Sequence, residues 1–502
     1  MSRAARFLPP ERDTKMSTLQ QLQEDVERSF RWSAPLPPNW VPETPGADHD
    51  AVIVGGGQTG VAIVYGLRRL GITRVKAIDQ APEGEAGIWT TTARMNLLRT
   101  SKFLPGPEYG NPLLSFRAWF ETQHGAAAFD ALTRIARTDW AAYLAWYQRT
   151  VGVQVQHGTR LLDIEALENG LLRLHLEADG RLHTETTRKL VLATGFGGGG
   201  EDNIPAAIRA LPKPLWAHTS EHIDFTLLKG KTVGIVGAGP SAFDAAGVAL
   251  ENGARAVHLF SRRGEIHHQP ESPPGAAPGP FPPARQPGAM EHFHRLPDGV
   301  RWRYHLLGKG AGASTPIDSI DRATAFENFH IHLNTTARTL ETDGDKVHIQ
   351  IGDEPFALDF VIAGTGFRID LASRPELSLI VDDIALWKDR YTPRPGEEYP
   401  EAGLYPYLGE GFEFTEKIPG QAPYLANIHC YNWAAALSSG KNLSDVPSMP
   451  ELPRLLSGIS RGLFFADLDH HADRITAKGG AGADPSVYAK AVWPLRRNTT
   501  AA

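Results

Sequence analysis

The chain has 502 residues, of which 41% are hydrophobic and 22% are charged, and its formal net charge is −6. A single hydrophobic core seldom serves more than about 300 residues, so we expect two or three domains. The acidic charge and the lack of a Lys/Arg-rich run argue against nucleic acid as a partner, and no apolar stretch approaches the roughly 20 residues that cross a bilayer. We predict a cytoplasmic protein that binds small molecules; its oligomeric state stays open, a homo-oligomer included.

Residues 1–49 are predicted to form a peripheral N-terminal extension, with a helix near residues 17–30 and then several prolines. The first regular unit follows directly. Its apolar strand Ala51–Val54 leads into a glycine-rich turn, a helix begins at Val61, and a second strand ends at Ile78. Strand, glycine turn and helix in this order form the fingerprint of a dinucleotide-binding βαβ unit.

The first turn supplies the first candidate cofactor-binding residues, which are Gly55, Gly57, Gln58, Thr59 and Gly60. Glycines let the backbone turn tightly and approach the phosphates of a dinucleotide. Asp79 follows the second strand, at the position from which an acid binds the ribose hydroxyls of an adenosine. A carboxylate there repels a 2′-phosphate, so this unit is predicted to bind FAD or NAD.

A second fingerprint lies in the middle of the chain. The strand Thr232–Val236 leads into a turn whose candidate residues are Gly237, Gly239, Ser241 and Ala242. The next strand ends in Ser261-Arg262-Arg263 and offers no acid. One charge-assisted hydrogen bond contributes roughly 1.5–3 kcal/mol, enough for a tenfold preference for a 2′-phosphate. Arg262 and Arg263 therefore predict NADPH as the second cofactor; a solvated basic strand end is the alternative.

A strand followed by Thr-Gly-Phe occurs twice, at Thr194-Gly195 and at Thr365-Gly366, on either side of the second fingerprint. Glycine at such turns lets the backbone pass close to a cofactor, so Thr194, Gly195 and Gly366 are further candidate cofactor-binding residues. The arrangement predicts an α/β fold of two Rossmann-like dinucleotide-binding domains, with the NADPH domain inserted into the FAD domain. Two unrelated strand-end glycines are the alternative. The predicted boundaries are 50–205 for the first part of the FAD domain, 206–360 for the NADPH domain, and 361–502 for the second part of the FAD domain and the C-terminal region.

Cys430 is the only cysteine, so neither an internal disulfide nor a Cys-x-x-Cys redox pair can form. This removes the dithiol relay of the disulfide reductases, which also contain two dinucleotide folds. The histidine pairs lack the spacing of a convergent ligand set, and no metal site is predicted. The segment 269–288 is rich in Pro, Gly and Ala, and it is predicted to be a long loop or lid.

The two fingerprints, the two Thr-Gly turns and Gly87-Ile88-Trp89 together resemble the flavin-dependent monooxygenases that use FAD and NADPH. That group includes flavin-containing monooxygenases, Baeyer–Villiger monooxygenases and N-hydroxylases. The resemblance covers about residues 50–440. It implies FAD in the first unit and NADPH in the second, and it adds Trp89 to the cofactor-binding residues.

Two candidate catalytic residues come from the same resemblance. His222 keeps the histidine of the family fingerprint Phe-x-Gly-x-x-x-His, although Trp216 and His218 replace its Phe and Gly. The run Arg99-Thr100-Ser101-Lys102 resembles an Asn-Thr-Ser-Lys stretch whose asparagine faces the flavin. At that place the fixed charge of Arg99 would stabilise a flavin peroxide anion or bind a substrate carboxylate. A surface salt bridge is the equal alternative for Arg99.

The resemblance implies an NADPH-dependent flavoprotein monooxygenase. NADPH reduces FAD, the reduced flavin forms a C4a-(hydro)peroxide with O2, and one oxygen atom passes to a small organic substrate, preferably at nitrogen or sulfur. Three alternatives stay open. They are Baeyer–Villiger oxidation of a ketone, an NADPH oxidase or flavin reductase, and a non-catalytic redox-sensing module.

Overall fold

The computed structural model describes residues 19–33, 35–269, 291–311, 314–337, 339–351, 354–477, 482 and 484–493. In chain order the strands are β1 (His49–Val54), β2 (Val75–Ile78), β3 (Val155–Gln156), β4 (Thr159–Ala166), β5 (Leu172–Ala178), β6 (Arg181–Leu192), β7 (Gly200–Asp202), β8 (Trp216–His218), β9 (Thr232–Val236), β10 (Ala256–Phe260), β11 (His268–Gln269), β12 (Thr315–Pro316), β13 (Phe329–His332), β14 (Leu340–Thr342), β15 (Val347–Ile351), β16 (Glu354–Leu358), β17 (Phe360–Ala363), β18 (Phe367–Ile369) and β19 (Ile428–Cys430). The helices are α1 (Leu19–Trp32), α2 (Gln58–Arg69), α3 (Phe116–His124), α4 (Ala126–Ala131), α5 (Arg137–Thr150), α6 (Ala206–Arg209), α7 (Pro240–Glu251), α8 (Asp298–Ala311), α9 (Ile317–Thr324), α10 (Trp387–Arg390), α11 (Ala436–Ser439), α12 (Leu452–Ala466), α13 (Leu468–Thr476) and α14 (Pro485–Tyr488).

The first sheet is built around the first fingerprint. Strands β3, β2, β1 and β6 lie side by side and are parallel. Antiparallel β5 and β4 continue from β6, while the short β19 lies parallel to the last residues of β6. Ala51, Val52 and Ile53 are fully buried. A parallel strand inside a sheet is covered on both faces, which explains the unbroken apolar run of β1.

The second sheet is entirely parallel, in the order β13, β10, β9, β17 and β8. All its strands lie in the chain between β6 and β19, and antiparallel β7 and β18 pair where the chain enters and leaves the second unit. The predicted fold class, with one dinucleotide-binding unit inserted into another, is therefore confirmed. The boundary predicted at residue 360 falls at the first residue of β17. Phe360–Ala363 pairs with β9, so the chain returns to the first unit only after Ala363.

The two fingerprints have the same local geometry. Gly55 has φ +114°, and a Cβ added to it would lie 2.3 Å from the carbonyl oxygen of Ala193. Gly237 has φ +116°, and its Cβ would lie 2.3 Å from the carbonyl oxygen of Gly364. Both positions therefore accept only glycine. Each fingerprint packs against the turn after the neighbouring parallel strand, which is why the two Thr-Gly turns accompany the two glycine turns.

An arm of the second unit reaches back to the first. Helix α8 lies in the chain between β10 and β13, yet it packs against the C-terminal part of the first unit. The Trp302 indole N–H donates to the Glu397 carbonyl oxygen at 2.8 Å, and the Trp302 ring lies 6.2 Å from that of Trp387. The Arg301 guanidinium covers the rings of Trp387 and Tyr407. The two units are thus joined by this arm as well as by β7 and β18.

The predicted N-terminal helix is α1, which packs against α3. The predicted loop 269–288 lies outside the described residues except for Gln269, and residues 1–18 also lie outside them. In the described part of the chain, each helix is too short or too polar to cross a membrane.

Candidate active site

One large cavity lies at the carboxyl ends of both parallel sheets. Its volume is about 1740 Å³, well above the roughly 300–1,000 Å³ of a pocket for one small ligand. The predicted cofactor-binding residues that line it come from both units: Gly55, Gly57, Gln58, Thr59, Asp79, Trp89, Thr194, Gly195, Gly237, Gly239, Ser241, Arg262, Arg263 and Gly366. Open α/β sheets bind ligands at this edge, so the cavity is the candidate site for both dinucleotides.

Two of the predicted residues support the cavity without lining it. A Cβ on Gly60 would lie 1.7 Å from the carbonyl oxygen of Gly55, so this glycine lets α2 pack against its own turn. Ala242 occupies the matching place in α7, where its Cβ faces Gly364. Both positions hold a helix close to a phosphate-binding turn, and neither contacts the cavity.

The first half of the cavity contains the Asp79 carboxylate and the Gln58 amide. Asp79 accepts hydrogen bonds from the backbone N–H groups of Gly56 at 2.7 Å and Ala81 at 2.8 Å, which hold it at the end of β2. The indole N–H groups of Trp89 and Trp140 both donate to Gln58 Oε1 at 3.1 Å. Gln58 Nε2 is buried without a partner, which fits a ligand acceptor in this half.

The second half is lined by the turn before α7 and by the end of β10. Gly237 and Gly239 precede the helix, whose first N–H groups favour an anion. Neither Arg262 nor Arg263 has a side-chain hydrogen bond or ion pair within the described part of the chain, and both line the cavity. Two cations without partners fit the 2′-phosphate of NADPH better than the neutral ribose of NADH.

Arg99 was predicted to be either a ligand-binding cation of the site or a partner in a surface salt bridge, and the structure combines features of both. Its Nη2 donates to Asp244 Oδ2 at 2.8 Å, and Asp244 also accepts from Ser319 Oγ at 2.7 Å. Asp244 is buried in α7, so the ion pair joins the two units. Arg99 also lines the cavity, and its Nε is buried without a partner. It is therefore both a salt bridge and a candidate ligand-binding group.

Three further arginines bridge the two units beside Arg99. Arg94 donates to the backbone carbonyls of Thr219 and Glu221, and Arg322 donates to the backbone carbonyl of Arg94. Arg134 pairs with Asp318. Burial lowers the pKa of Arg94 to about 10, which still leaves it charged at neutral pH. The edge of the cavity between the two units is thus held by cations.

The structure does not bring His222 into the site. Its side chain is exposed, and it does not line the cavity. The turn after β8 carries it outward, whereas the preceding His218 is fully buried in β8. His218 Nδ1 lies 2.8 Å from Ser220 Oγ and 3.2 Å from Asp202 Oδ1, beside the crossing of β7 and β18. The buried histidine of this segment is thus His218, and we assign no catalytic role to His222.

Sequence reasoning missed several polar residues of the cavity. Among the described residues, the cavity-lining side chains that have a buried polar atom without a partner are Gln58, Arg99, Ser444 and Asp445. Asp244 was missed although a signal existed, since one acid inside the apolar run of α7 needs a partner. Ser444 and Asp445 follow no motif, and only the folded chain brings them to the cavity.

Two dinucleotide turns that share one cavity define a flavoprotein oxidoreductase. Its lone Cys430 is buried, and burial raises the pKa of the thiol to about 12. A thiol of that pKa is not nucleophilic at neutral pH, so it offers no electron relay.

Comparisons with known proteins agree with this class. Residues 124–313 match the family model of L-lysine 6-monooxygenase/L-ornithine 5-monooxygenase. A FAD-dependent urate hydroxylase of Xanthomonas campestris pv. campestris is 36% identical over 452 residues, which are 89% of this chain and 92% of that protein. The ornithine hydroxylase of Pseudomonas aeruginosa has a TM-score of 0.64 at 19% identity, over 83% of this chain and 99% of that one. The L-lysine 6-monooxygenase of Pseudomonas syringae has a TM-score of 0.63 at 19% identity, over 82% and 99%.

The structural similarities show the fold, and the urate hydroxylase shows the family. This chain belongs to the family of FAD-dependent monooxygenases that includes the urate hydroxylase. The predicted family and enzyme class are thereby confirmed, with FAD as the flavin, and NADPH stays the predicted second cofactor.

Proposed function

We propose that this monooxygenase oxygenates a small nitrogen-rich heterocycle of the urate type. FAD, when bound, takes a hydride from NADPH and activates O2. The urate hydroxylase of 36% identity supports this substrate class. The observation that carries the proposal is the single cavity that both fingerprints line together with Arg99, whose Nε has no partner.

The cofactor assignments follow the two halves of the cavity. In our proposal the first turn holds the diphosphate of FAD, and Asp79 binds its ribose. The second turn and α7 hold the diphosphate of NADPH, and Arg262 with Arg263 binds the 2′-phosphate. Thr194, Gly195 and Gly366 close the cavity where the chain crosses between the units. We also place the second domain at residues 206–363 and the enzyme in the cytoplasm.

Arg99 is the proposed substrate-binding cation. Asp244 anchors one edge of its guanidinium at 2.8 Å, so the group has a fixed orientation. The Nε–H donor of the same guanidinium has no partner among the described residues, so it is left to donate to a carbonyl or anionic oxygen of a ligand. A urate-type ring has several carbonyl oxygens and a negative charge, which suit this donor.

An amino acid with a side-chain amine is the second candidate substrate. The match of residues 124–313 to the lysine/ornithine monooxygenase model favours it. In that case Arg99 would bind the substrate carboxylate, as the sequence analysis considered.

A substrate screen tests the proposal. The FAD-loaded enzyme is mixed with NADPH in air and with urate, ornithine, lysine, a sulfide or a ketone, and NADPH consumption, products and H2O2 are measured. We expect urate to accelerate NADPH consumption at least tenfold and to yield an oxygenated product. Ester formation from the ketone would indicate Baeyer–Villiger chemistry, and H2O2 equal to NADPH with every compound would indicate an oxidase. Negligible NADPH consumption with every compound would indicate the non-catalytic redox-sensing module.

A further inference from the structure

Asp445 lies in a segment of the cavity wall that neither fingerprint explains. The segment 442–446 follows α11 and lines the cavity next to Tyr431. Asp445 Oδ1 and Ser444 Oγ are both buried, and neither has a hydrogen-bond partner among the residues that the structure describes. Buried polar atoms are almost always paired in folded proteins, so two adjacent exceptions in one cavity indicate where a ligand binds.

Asp445 differs from the other acids of the cavity. Within the described residues, the other buried or half-buried carboxylates of the wall each have a partner, namely Asp79, Glu201, Asp202, Asp244 and Glu376. Glu85 and Glu265 also line the cavity, but both are exposed to solvent. Within the described wall, Asp445 is thus the acid that has a buried carboxylate oxygen without a partner.

A structural role does not account for this side chain. Asp445 precedes the 3₁₀ helix Val446–Glu451, a position where an aspartate commonly caps the first N–H groups. Its side chain makes no such cap hydrogen bond. Its burial without a cap costs stability, which is typical of a residue kept for function.

The surroundings of Asp445 leave its carboxyl group partly protonated and partly ionised at neutral pH. Burial raises the pKa of Asp445 to about 7, against smaller opposing effects of the Ser448 amide and Lys441. Lys441 is the facing cation, but its Nζ already pairs with Glu451 at 2.8 Å. Tyr431 is the facing group from the segment after β19, and its hydroxyl donates to the Ser448 carbonyl oxygen. A carboxyl group so placed exchanges protons readily with a ligand at physiological pH.

We propose that Asp445, with Ser444 beside it, binds an N–H group of the substrate and accepts its proton as oxygen is transferred. The N–H bond breaks, its electron pair stays on the substrate ring, and the proton moves to Asp445 Oδ1. The electron-richer ring then attacks one oxygen atom derived from O2, so that a ring–oxygen bond forms while the O–O bond breaks. The other oxygen atom leaves as water, for which NADPH supplies the two electrons and the proton on Asp445 is returned. The inference rests on the proposed function, because it needs a substrate with an N–H group.

The test compares Asp445→Asn with Glu108→Gln. Glu108 is a matched control, because its Oε2 is also buried without a partner and burial also raises its pKa, yet it does not line the cavity. Both variants are loaded with FAD. Four quantities are measured: FAD content, anaerobic flavin reduction by NADPH, urate affinity of the oxidised enzyme, and the ratio of product to H2O2.

We expect Asp445→Asn to keep its FAD, to be reduced by NADPH within twofold of wild type, and to bind urate within tenfold, since Asn also accepts a hydrogen bond. Product should fall at least 100-fold and H2O2 should rise to match NADPH. In wild type, product formation should rise as the pH passes through about 7 and Asp445 ionises. In Asp445→Asn this rise should be absent. Glu108→Gln should keep the wild-type ratio at every pH. A ratio of product to H2O2 in Asp445→Asn equal to that of wild type would overturn the proposal. An altered FAD content or flavin spectrum would also overturn it, because it would show that Asp445 contacts the flavin instead of the substrate.

A stability measurement reports on Asp445 without any turnover. The folded-state pKa of Asp445 is about 7 and lies above its unfolded value, so its protonation favours the folded state at low pH and this stabilisation is lost as pH rises to 7. Asp445→Asn should therefore have a higher Tm than wild type at pH 8, and the difference should vanish near pH 4. Adding urate at pH 8 should raise the Tm of wild type. A pH-independent Tm difference would overturn the placement of Asp445. If wild type gives no product from urate, the proposed function fails, whereas this measurement separately tests whether Asp445 is the buried carboxyl group that the inference requires.

Discussion

Replacement of Gly237 by alanine tests how the second turn binds its dinucleotide. At φ +116° a residue with a Cβ is disfavoured by about 1–2 kcal/mol. The new Cβ would also lie 2.3 Å from the carbonyl oxygen of Gly364, a backbone atom that cannot rotate away. Overpacking of this kind costs about 1–3 kcal/mol. The sum is about 3 kcal/mol, and if the turn moves to relieve it, NADPH affinity falls about 150-fold.

Anaerobic flavin reduction measures this effect. Gly237→Ala should keep its FAD, while the NADPH concentration for half-maximal reduction rises about 150-fold. Gly55→Ala makes the equivalent change in the first turn, so this variant should lose FAD. Gly230→Ala is the control, because Gly230 also has a positive φ, +72°, but a Cβ there would have no atom within 4 Å. NADPH affinity unchanged in Gly237→Ala, or reduced equally in Gly230→Ala, would refute the reasoning.

Three further predictions concern named side chains. Replacing Arg262 and Arg263 together by alanine should raise the KM for NADPH 10- to 100-fold and leave that for NADH within threefold, since only NADPH has a 2′-phosphate; equal changes for both would count against the assignment. Arg99→Ala should lower the Tm and weaken urate binding, because it leaves Asp244 buried without its cation, whereas Arg99→Lys should recover part of both; urate binding at wild-type strength in Arg99→Ala would remove Arg99 from the substrate site. Cys430 should resist thiol reagents at pH 8 until the protein unfolds, because burial raises its pKa to about 12, and labelling of the folded enzyme would contradict its buried position.

The sequence predicted the parts of the fold that depend on short-range patterns. Strand, glycine turn and helix are neighbours in the chain, so Gly55 and Gly237 identify their turns without knowledge of the fold. The two Thr-Gly turns added the long-range topology, because each one must lie against a glycine turn. Gly125, with φ +84°, ends α3 and separates it from α4, a break that depends on one residue.

The site was predictable where a cofactor imposes a motif and unpredictable elsewhere. Arg99 was found through a family motif, but its partner Asp244 lies in another unit and depends on how the units pack. Asp445 comes from a segment far along the chain that reaches the cavity only because β19 returns to the first sheet. His222 is exposed outside the cavity, because a motif position does not determine on which side of a turn its side chain lies.

The measurement that tests the central claim most directly is the fate of isotopically labelled O2. The FAD-loaded enzyme is supplied with NADPH, urate and ¹⁸O2, and the product is analysed by mass spectrometry while NADPH and H2O2 are quantified. A monooxygenase of this substrate class predicts one ¹⁸O atom in each product molecule and nearly one product molecule for each NADPH oxidised. Unlabelled product, or H2O2 that accounts for all the NADPH, would contradict the account.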